Sequence, residues 1–280
     1  MDGSGFTSSH ILIAGLGLIG GSVAKALRAA GFTSIDAFDA DSIPLAQAKK
    51  DGIIRAGYTT LQAGEYDLVI CCLPPCGIAT FYEQVKPFIK PGGVFAELGG
   101  LKKAMIAKLS ALHAPEHELL CLHPMAGSEK AGYAYSDAAM FAGAPIILTP
   151  TVSTGHAALA WAVVLKDAFG CKDMPTLTAD RHDEIIANVS HLPHIVALAV
   201  REAAAGSERF AGGSYRSVTR VAELNTTLWA GLLTDNAEYV GKSIARFRET
   251  LDILQQAVEA QDAETLKALL EEMSGKGEKA

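Results

Sequence analysis

Ile11-Leu-Ile-Ala-Gly-Leu-Gly-Leu-Ile-Gly20, running on into Gly21-Ser-Val-Ala-Lys-Ala-Leu-Arg-Ala-Ala30, decides the fold of this chain. Apolar residues lead straight into Gly15, Gly17 and Gly20, and a helix-forming segment follows without a break. The G-x-G-x-x-G spacing is weak evidence alone and much stronger between a strand and a helix. Gly15 allows the tight turn, Gly17 lets the backbone approach a pyrophosphate, and Gly20 lets helix and strand pack closely. The unpaired N–H groups and positive dipole end of the new helix then receive the phosphates. Gly15, Leu16, Gly17, Leu18, Ile19 and Gly20 are the expected dinucleotide cradle. The alternative is a glycine-rich turn of a parallel sheet that holds no ligand.

The pattern beyond this stretch alternates. Strand-like runs at 10–14, 34–39, 68–73, 94–97 and 119–122 are separated by helical patterns at 20–30, 43–51, 78–89 and 105–112. That order predicts an α/β domain with a doubly wound parallel sheet of Rossmann type. A further strand at 145–149, an apolar helix at 154–169 and a short strand at 171–177 extend it, so the domain is expected to span 1–178. From 179 to 280 the pattern is helical throughout, which predicts an all-α C-terminal domain. Asp180 is expected to cap a helix reaching about residue 205, with Asp183 and Glu184 in its first turn and a kink at Pro193. A Gly/Ser-rich loop at 206–217 and helices at 218–233, 237–260 and 263–273 complete the reading.

At 280 residues the chain has room for two domains, and 49% hydrophobic with 20% charged residues is an ordinary globular composition. A net charge of −7 argues against a nucleic-acid backbone or an anionic membrane as partner. An anionic substrate must therefore find its positive contacts locally. No apolar run approaches a membrane span, and the first ten residues lack the regions of a signal peptide. Five cysteines, most in strand-like runs, read as small buried hydrophobes rather than a disulfide framework or metal site. A cytoplasmic location is expected.

Asp39 closes the second strand, where an acidic side chain accepts hydrogen bonds from the adenosine ribose hydroxyls. It would repel a 2′-phosphate, and no arginine follows immediately, so NAD is expected over NADP. An Asp that merely caps the next turn is the competing reading. Leu73 and Pro74 end the third apolar strand and are expected to lie along the cofactor.

A second constellation starts at Leu122-His123-Pro-Met-Ala-Gly-Ser128-Glu129-Lys130. A histidine at the carboxyl end of a strand, on the cofactor edge, can accept a proton near neutral pH. Alone it reads equally well as a histidine satisfied by backbone contacts. Ser190-His191-Leu-Pro-His194 and Gly212-Gly-Ser-Tyr215-Arg216-Ser-Val-Thr219-Arg220-Val-Ala222, with Trp229 downstream, shift the balance. Together with the glycine run, these stretches resemble the prephenate/arogenate dehydrogenase family of tyrosine biosynthesis, from about residue 11 to 273.

The resemblance implies an NAD-dependent oxidative decarboxylation. Hydride leaves the carbon bearing a ring hydroxyl of prephenate or arogenate while the ring carboxylate departs as carbon dioxide. By resemblance His123 is the proton acceptor, active when neutral, so activity is expected to rise with pH through its pKa. Arg220 is the matching carboxylate-binding arginine, with a fork suited to bidentate contact. His194 matches a second histidine that hydrogen-bonds substrate. Ser128, Glu129, Ser190 and Arg216 match positions lining or gating the substrate entrance, each also readable as ordinary surface polarity. Trp229 matches a tryptophan that reaches the neighbouring subunit's site, although an amphipathic helix also puts Trp in a core. His191 and His194 share a helix face, but the family uses no metal and none is expected.

One position departs from the family. Where Gly-Ser-Val-Lys is often found, this chain reads Gly99-Gly100-Leu101-Lys102, so a hydroxyl near the catalytic histidine and the nicotinamide is missing. The resemblance also implies a homodimer through the helical domain, where Ile244, Phe247, Leu251 and Leu254 form an apolar face. The chain leaves little room beyond the helical part, so any L-tyrosine inhibition is expected at the active site itself. Two other readings stand beside this one. A β-hydroxyacid dehydrogenase shares the domain plan but uses an interdomain lysine absent from the helix after Asp180, and a non-catalytic NAD-binding protein would not need His123, His194 and Arg220.

Overall fold

The computed structural model describes residues 5–61, 64–128 and 130–275. In chain order the elements are β1 (Ile11–Ala14), α1 (Leu18–Ala29), β2 (Ile35–Phe38), α2 (Ser42–Lys50), β3 (Ala56–Tyr58), β4 (Tyr66–Cys71) and α3 (Pro75–Val85). Then come β5 (Ile89–Glu97), α4 (Lys103–Leu112), β6 (Glu118–Pro124), β7 (Ile146–Leu148), α5 (His156–Ala168) and α6 (Ala179–Ile186). The chain ends with α7 (Leu192–Ala203), α8 (Gly213–Thr219), α9 (Thr226–Asp235), α10 (Ala237–Glu259) and α11 (Ala263–Met273). Two compact units result, Met1–Ile186 with Glu223–Asp235, and Ala187–Ala222 with Asn236–Ala280.

The first unit is built on a sheet that, among the described residues, has seven strands in the order β3-β2-β1-β4-β5-β6-β7. Strands β1 to β6 run parallel, and the order reverses between β1 and β4. Side-chain alternation along β1 supplies both faces. Ile11 and Ile13 pack with Val23 and Leu27 of α1 and Trp161 and Leu165 of α5, whereas Leu12 and Ala14 pack with Ile78 and Phe81 of α3 and Leu109 of α4. The expected doubly wound α/β domain followed by helices is the observed fold.

Several elements differ from the sequence pattern for local physical reasons. Strand β3, three residues at the edge, was too short to register as a run. Strand β5 begins at Ile89 rather than 94, because Pro91-Gly92-Gly93 forms an irregularity within the strand, with Gly92 at φ 76°. Strand β7 is antiparallel to β6. A parallel return needs a crossover, and among the described residues the connection here carries only a 3-10 turn at Tyr133–Tyr135. Residues 171–177 make no strand, only a bridge between Leu148 and Thr176.

The expected helix at 180–205 is interrupted. Thr178 rather than Asp180 caps α6, its hydroxyl accepting from the Arg181 N–H at 3.2 Å. A π turn at Ala187–His191 separates α6 from α7, just ahead of Pro193, which lacks a donor and crowds the preceding turn. The 206–217 segment is not all loop: α8 starts at Gly213. The expected helix at 218–233 breaks at a 3-10 turn, Arg220–Ala222, and restarts at α9, where Asn225 Oδ1 accepts the Leu228 N–H at 3.0 Å. In the second unit α10 packs on α7, on the π turn and on α11.

At the end of the sheet opposite the glycine run, buried Asp36 of β2 meets the Arg55 fork at 2.8 and 3.0 Å and His10 Nε2 at 2.8 Å. Burial pushes this carboxyl up, but hydrogen bonds from Arg55 and His10 outweigh it and hold the group below the usual aspartate value. A lowered folded pKa means stability that is complete above the unfolded value of about 3.9 and lost as pH falls through the folded value. Asp36→Asn is expected to lower the thermal midpoint at neutral pH, with the gap to the parent closing below about pH 4. A gap that stays constant across that range would show the linkage to be wrong.

Candidate active site

The glycine run sits where the sheet order reverses, the crevice in which open α/β sheets bind ligands. Gly15 has φ 85°, a conformation costly for other residues, and a Cβ there would lie 3.0 Å from the Cys72 carbonyl oxygen and Leu73 Cδ2. A Cβ at Gly20 would overlap the Gly15 carbonyl oxygen, whereas one at Gly17 would meet nothing within 4 Å. Gly20 therefore closes the helix onto the loop, and Gly17 leaves an open approach. No side chain caps α1 at Gly17, and Leu18 and Ile19 open its first turn. This is the cradle an anionic diphosphate fits.

Asp39 makes the contacts of a turn cap. Its Oδ2 accepts the Leu16 N–H at 2.6 Å, tying the end of β2 to the glycine loop, and its Oδ1 accepts the Asp41 N–H at 2.9 Å. Each carboxylate oxygen keeps lone-pair capacity for a hydroxyl donor. Beside it lies a cavity of about 720 Å³ whose lining includes Gly17, Asp39, Asp41, Asp51, Lys25 and Tyr133. Lys25 and Tyr133 were not singled out from sequence. Lys25 Nζ donates to the Ser136 carbonyl at 2.8 Å and lies 4.6 Å from the Tyr133 ring centroid, so its charge is engaged in holding the loop after β6. Leu73 and Pro74 follow β4, with Leu73 against the cradle and Pro74 at the N-cap of α3.

His123 stands near the carboxyl end of β6, half-buried, with its neighbours fixed by a buried ion pair. Lys102 and Glu97 are fully buried, 2.5 Å apart. Lys102 Nζ also donates to the carbonyls of Gly99 and Leu122 at 2.8 Å each, so all three ammonium protons are placed. Gly100, in the loop they pin, presents its Cα toward the imidazole: a Cβ there would lie 4.0 Å from His123 Nε2 and 3.9 Å from Leu232 Cδ2 of α9. His123 Nδ1 faces the other way, 2.9 Å from His182 Nε2. His182 Nδ1 is 2.7 Å from Asp183 Oδ1, and the Asp183 carboxylate accepts the backbone N–H groups of Lys102 and Lys103 at 2.8 and 2.9 Å. Both His182 and Asp183 are buried. From sequence Asp183 was read only as a favourable first-turn acid, and His182 was passed over. The signal available was the adjacent His-Asp pair on the inward face of an amphipathic helix.

Of the remaining candidates in this unit, Ser128 is exposed and its hydroxyl accepts the Lys130 N–H at 3.0 Å. Glu129 lies outside the described residues. Trp229 is half-buried on α9. In the second unit, His194 Nδ1 donates to the Ser190 carbonyl at 2.8 Å, across the π turn that Pro193 follows. That bond makes Nε2 the acceptor of the His194 ring. Ser190 thus contributes its carbonyl, a role its side chain did not suggest. Arg220, exposed, opens the 3-10 turn that packs against α7, and Arg216 is exposed on α8. His191 is buried, with Nδ1 3.4 Å from Asn236 Nδ2.

Fold and cradle define a dinucleotide-binding α/β protein with a helical second part. Residues 23–172 match the family described as "Prephenate dehydrogenase, nucleotide-binding domain", and residues 178–272 match "Prephenate dehydrogenase, dimerization domain". The chain belongs to the prephenate dehydrogenase family. It is 29% identical to a cyclohexadienyl dehydrogenase of Zymomonas mobilis, over 92% of this chain and 91% of that one. Among solved structures it resembles a prephenate dehydrogenase from A. aeolicus in complex with hydroxyphenyl propionate and NAD+, with TM-score 0.87, 26% identity and 96% of each chain covered. It also resembles Synechocystis arogenate dehydrogenase, with TM-score 0.81 and 26% identity over 96% of this chain and 99% of that one.

The two glycines make opposite predictions. Gly20→Ala forces the cradle apart and is expected to lower the thermal midpoint and weaken dinucleotide binding. Gly100→Ser meets only ordinary contacts and is expected to leave the midpoint unchanged. Calorimetry with a dinucleotide titration checks both, and equal effects of the two would contradict the geometry.

Proposed function

We propose that this protein catalyses the NAD-dependent oxidative decarboxylation of prephenate to 4-hydroxyphenylpyruvate in tyrosine biosynthesis. The observation that carries the reading is His123, set at the carboxyl end of a strand in the sheet whose carboxyl edge also carries the glycine cradle. When bound, NAD supplies the hydride acceptor. His123 takes the proton of the ring hydroxyl as hydride leaves the same carbon, and the electron pair released with carbon dioxide completes the aromatic ring. Because aromatisation drives the reaction, the protein's main work is orientation and proton transfer. Arg220 is assigned to a substrate carboxylate and His194 Nε2 to a donor on the substrate, with Ser128, Glu129, Ser190, Arg216 and Trp229 at the entrance.

NAD rather than NADP is supported by the acidic lining around Asp39, Asp41 and Asp51, which disfavours a 2′-phosphate. A homodimer is supported by Leu251 and Ile253 of α10, 47% and 48% exposed in the single chain, within the segment matched as a dimerization domain. L-Tyrosine, which shares the phenol of the product, is assigned as a competitive inhibitor at the same site. We place the protein in the cytoplasm; no helix among the described residues is long and apolar enough to cross a membrane. Arogenate, which differs from prephenate only in carrying an amine for the side-chain carbonyl, is the second substrate reading, favoured by the likeness to the Synechocystis enzyme.

The direct test is the appearance of NADH with prephenate and with arogenate, comparing kcat/KM for the two. If neither reduces NAD above background, the proposal fails. His123→Asn is expected to retain dinucleotide binding and lower kcat by roughly 10²–10⁴-fold. Asp39→Asn is expected to raise the KM for NAD and narrow the preference over NADP, because it removes the charge facing the ribose; an unchanged NAD/NADP ratio would remove Asp39 from the cofactor site.

A further inference from the structure

We infer that His182 and Asp183 are positioning residues that fix the tautomer of His123, placing its proton on Nδ1 and its lone pair on Nε2. The inference deepens the proposed function, since it rests on His123 being the base. It begins at the far end of the chain of contacts. The Asp183 carboxylate receives two backbone N–H groups, from Lys102 and Lys103, and as an ionised carboxylate it only accepts. The 2.7 Å contact with His182 Nδ1 therefore requires the proton on that nitrogen.

A neutral His182 then has a lone pair on Nε2. The 2.9 Å contact from His123 Nδ1 is filled only if His123 donates. With Nδ1 protonated, the basic nitrogen of His123 is Nε2, on the side of the Gly100 loop. With His182 neutral, the direction of both ring contacts follows from one carboxylate. A His123 carrying its proton on Nε2 would leave two lone pairs facing each other at 2.9 Å, buried on one side, which is strongly unfavourable.

The same chain receives charge when His123 takes a proton. His123 Nδ1–H can pass its proton to His182 Nε2, while His182 Nδ1–H remains donated to Asp183. The positive charge then moves one ring closer to the carboxylate, and the contact between the two rings keeps one donor and one acceptor. His182 touches neither substrate nor cofactor in this account; it acts through His123.

The test uses the full chain labelled with ¹⁵N-histidine and needs no turnover. At neutral pH, NMR is expected to show His123, assigned by the signals lost in His123→Asn, protonated at Nδ1 with a pyridine-type Nε2. An Nε2–H tautomer of His123, or a His182 imidazolium in the resting protein, would overturn the inference. Kinetics supply the second arm. His182→Leu removes the acceptor and is expected to lower kcat by about 10- to 100-fold with the substrate KM held. His182→Gln, whose carbonyl can accept near the Nε2 position, is expected to retain more kcat than His182→Leu. Equal losses in both, or losses in KM and thermal midpoint without a specific loss in kcat, would mean that His182 only fills space. If neither substrate is turned over by the parent, the proposed function fails while the NMR result still decides the tautomer.

Discussion

A lysine with no exposure at all governs the geometry around His123. Burying Lys102 and Glu97 together costs several kcal/mol per ion unless geometry and hydrogen bonding are complete. They are complete here. Glu97 Oε1 and the Gly99 and Leu122 carbonyls receive the ammonium protons, Glu97 Oε2 accepts the Gly99 N–H, and the Lys102 N–H goes to Asp183. One residue thereby ties the ends of β5 and β6 to the middle of α6. His123 follows Leu122, and His182 precedes Asp183, so both imidazoles are referred to the same rigid loop. A 2.9 Å contact between rings on separate elements depends on that shared anchor. Removing either partner would leave an uncompensated buried charge, at a cost of about 3–5 kcal/mol, and would release both rings together.

What could be read from the sequence was whatever is encoded within one or two elements. The glycine run announces itself because turn, phosphate approach and helix packing are demands on adjacent residues, and Gly15 and Gly20 meet them as the pattern requires. Asp39 stood out in the sequence at the close of the second strand, and in the structure it follows β2 and ties it to the glycine loop. The parallel order of β1, β2, β4, β5 and β6 followed from their alternation with helices. Strand β7 did not follow, since its direction depends on the absence of a crossover helix between residues 125 and 145, and a loop rich in small residues gives no positive signal of that absence. The π turn before Pro193 and the break at Arg220–Ala222 were hidden for another reason. Both keep an apolar pattern close to helical spacing while the hydrogen-bond ladder changes.

His182 shows where sequence reasoning stops. Its partner lies 59 residues away, and the one local signal, an adjacent His-Asp pair on a helix face, does not say what the histidine meets. The sequence pattern placed the neighbouring Asp183 in the first turn of a helix, a reading complete without any reference to β6, whereas in the structure Asp180 holds that position in α6 and Asp183 lies past it. Lys102 was visible as the end of the Gly99-Gly100-Leu101-Lys102 stretch, but its three acceptors belong to three positions that only the folded sheet assembles.

The absence of a hydroxyl at Gly100 takes on a different meaning in this setting. An imidazole needs one nitrogen held for the other to be directed, and either side can serve. In this chain a holding contact is on Nδ1, from α6, and a Cβ at position 100 would lie 4.0 Å from Nε2. A side-chain hydroxyl at position 100 would be a possible partner for the nitrogen proposed to accept the substrate's proton. Glycine removes that competition, and the cost is one fewer group to order the reacting hydroxyl. In the proposed reaction orientation falls to the substrate's own anchors, and with a net charge of −7 a discrete cation, for which Arg220 is proposed, suits that role better than the general field. The proposed division is physically consistent: the relay behind His123 would set which nitrogen is basic, and contacts to the substrate would set which proton reaches it.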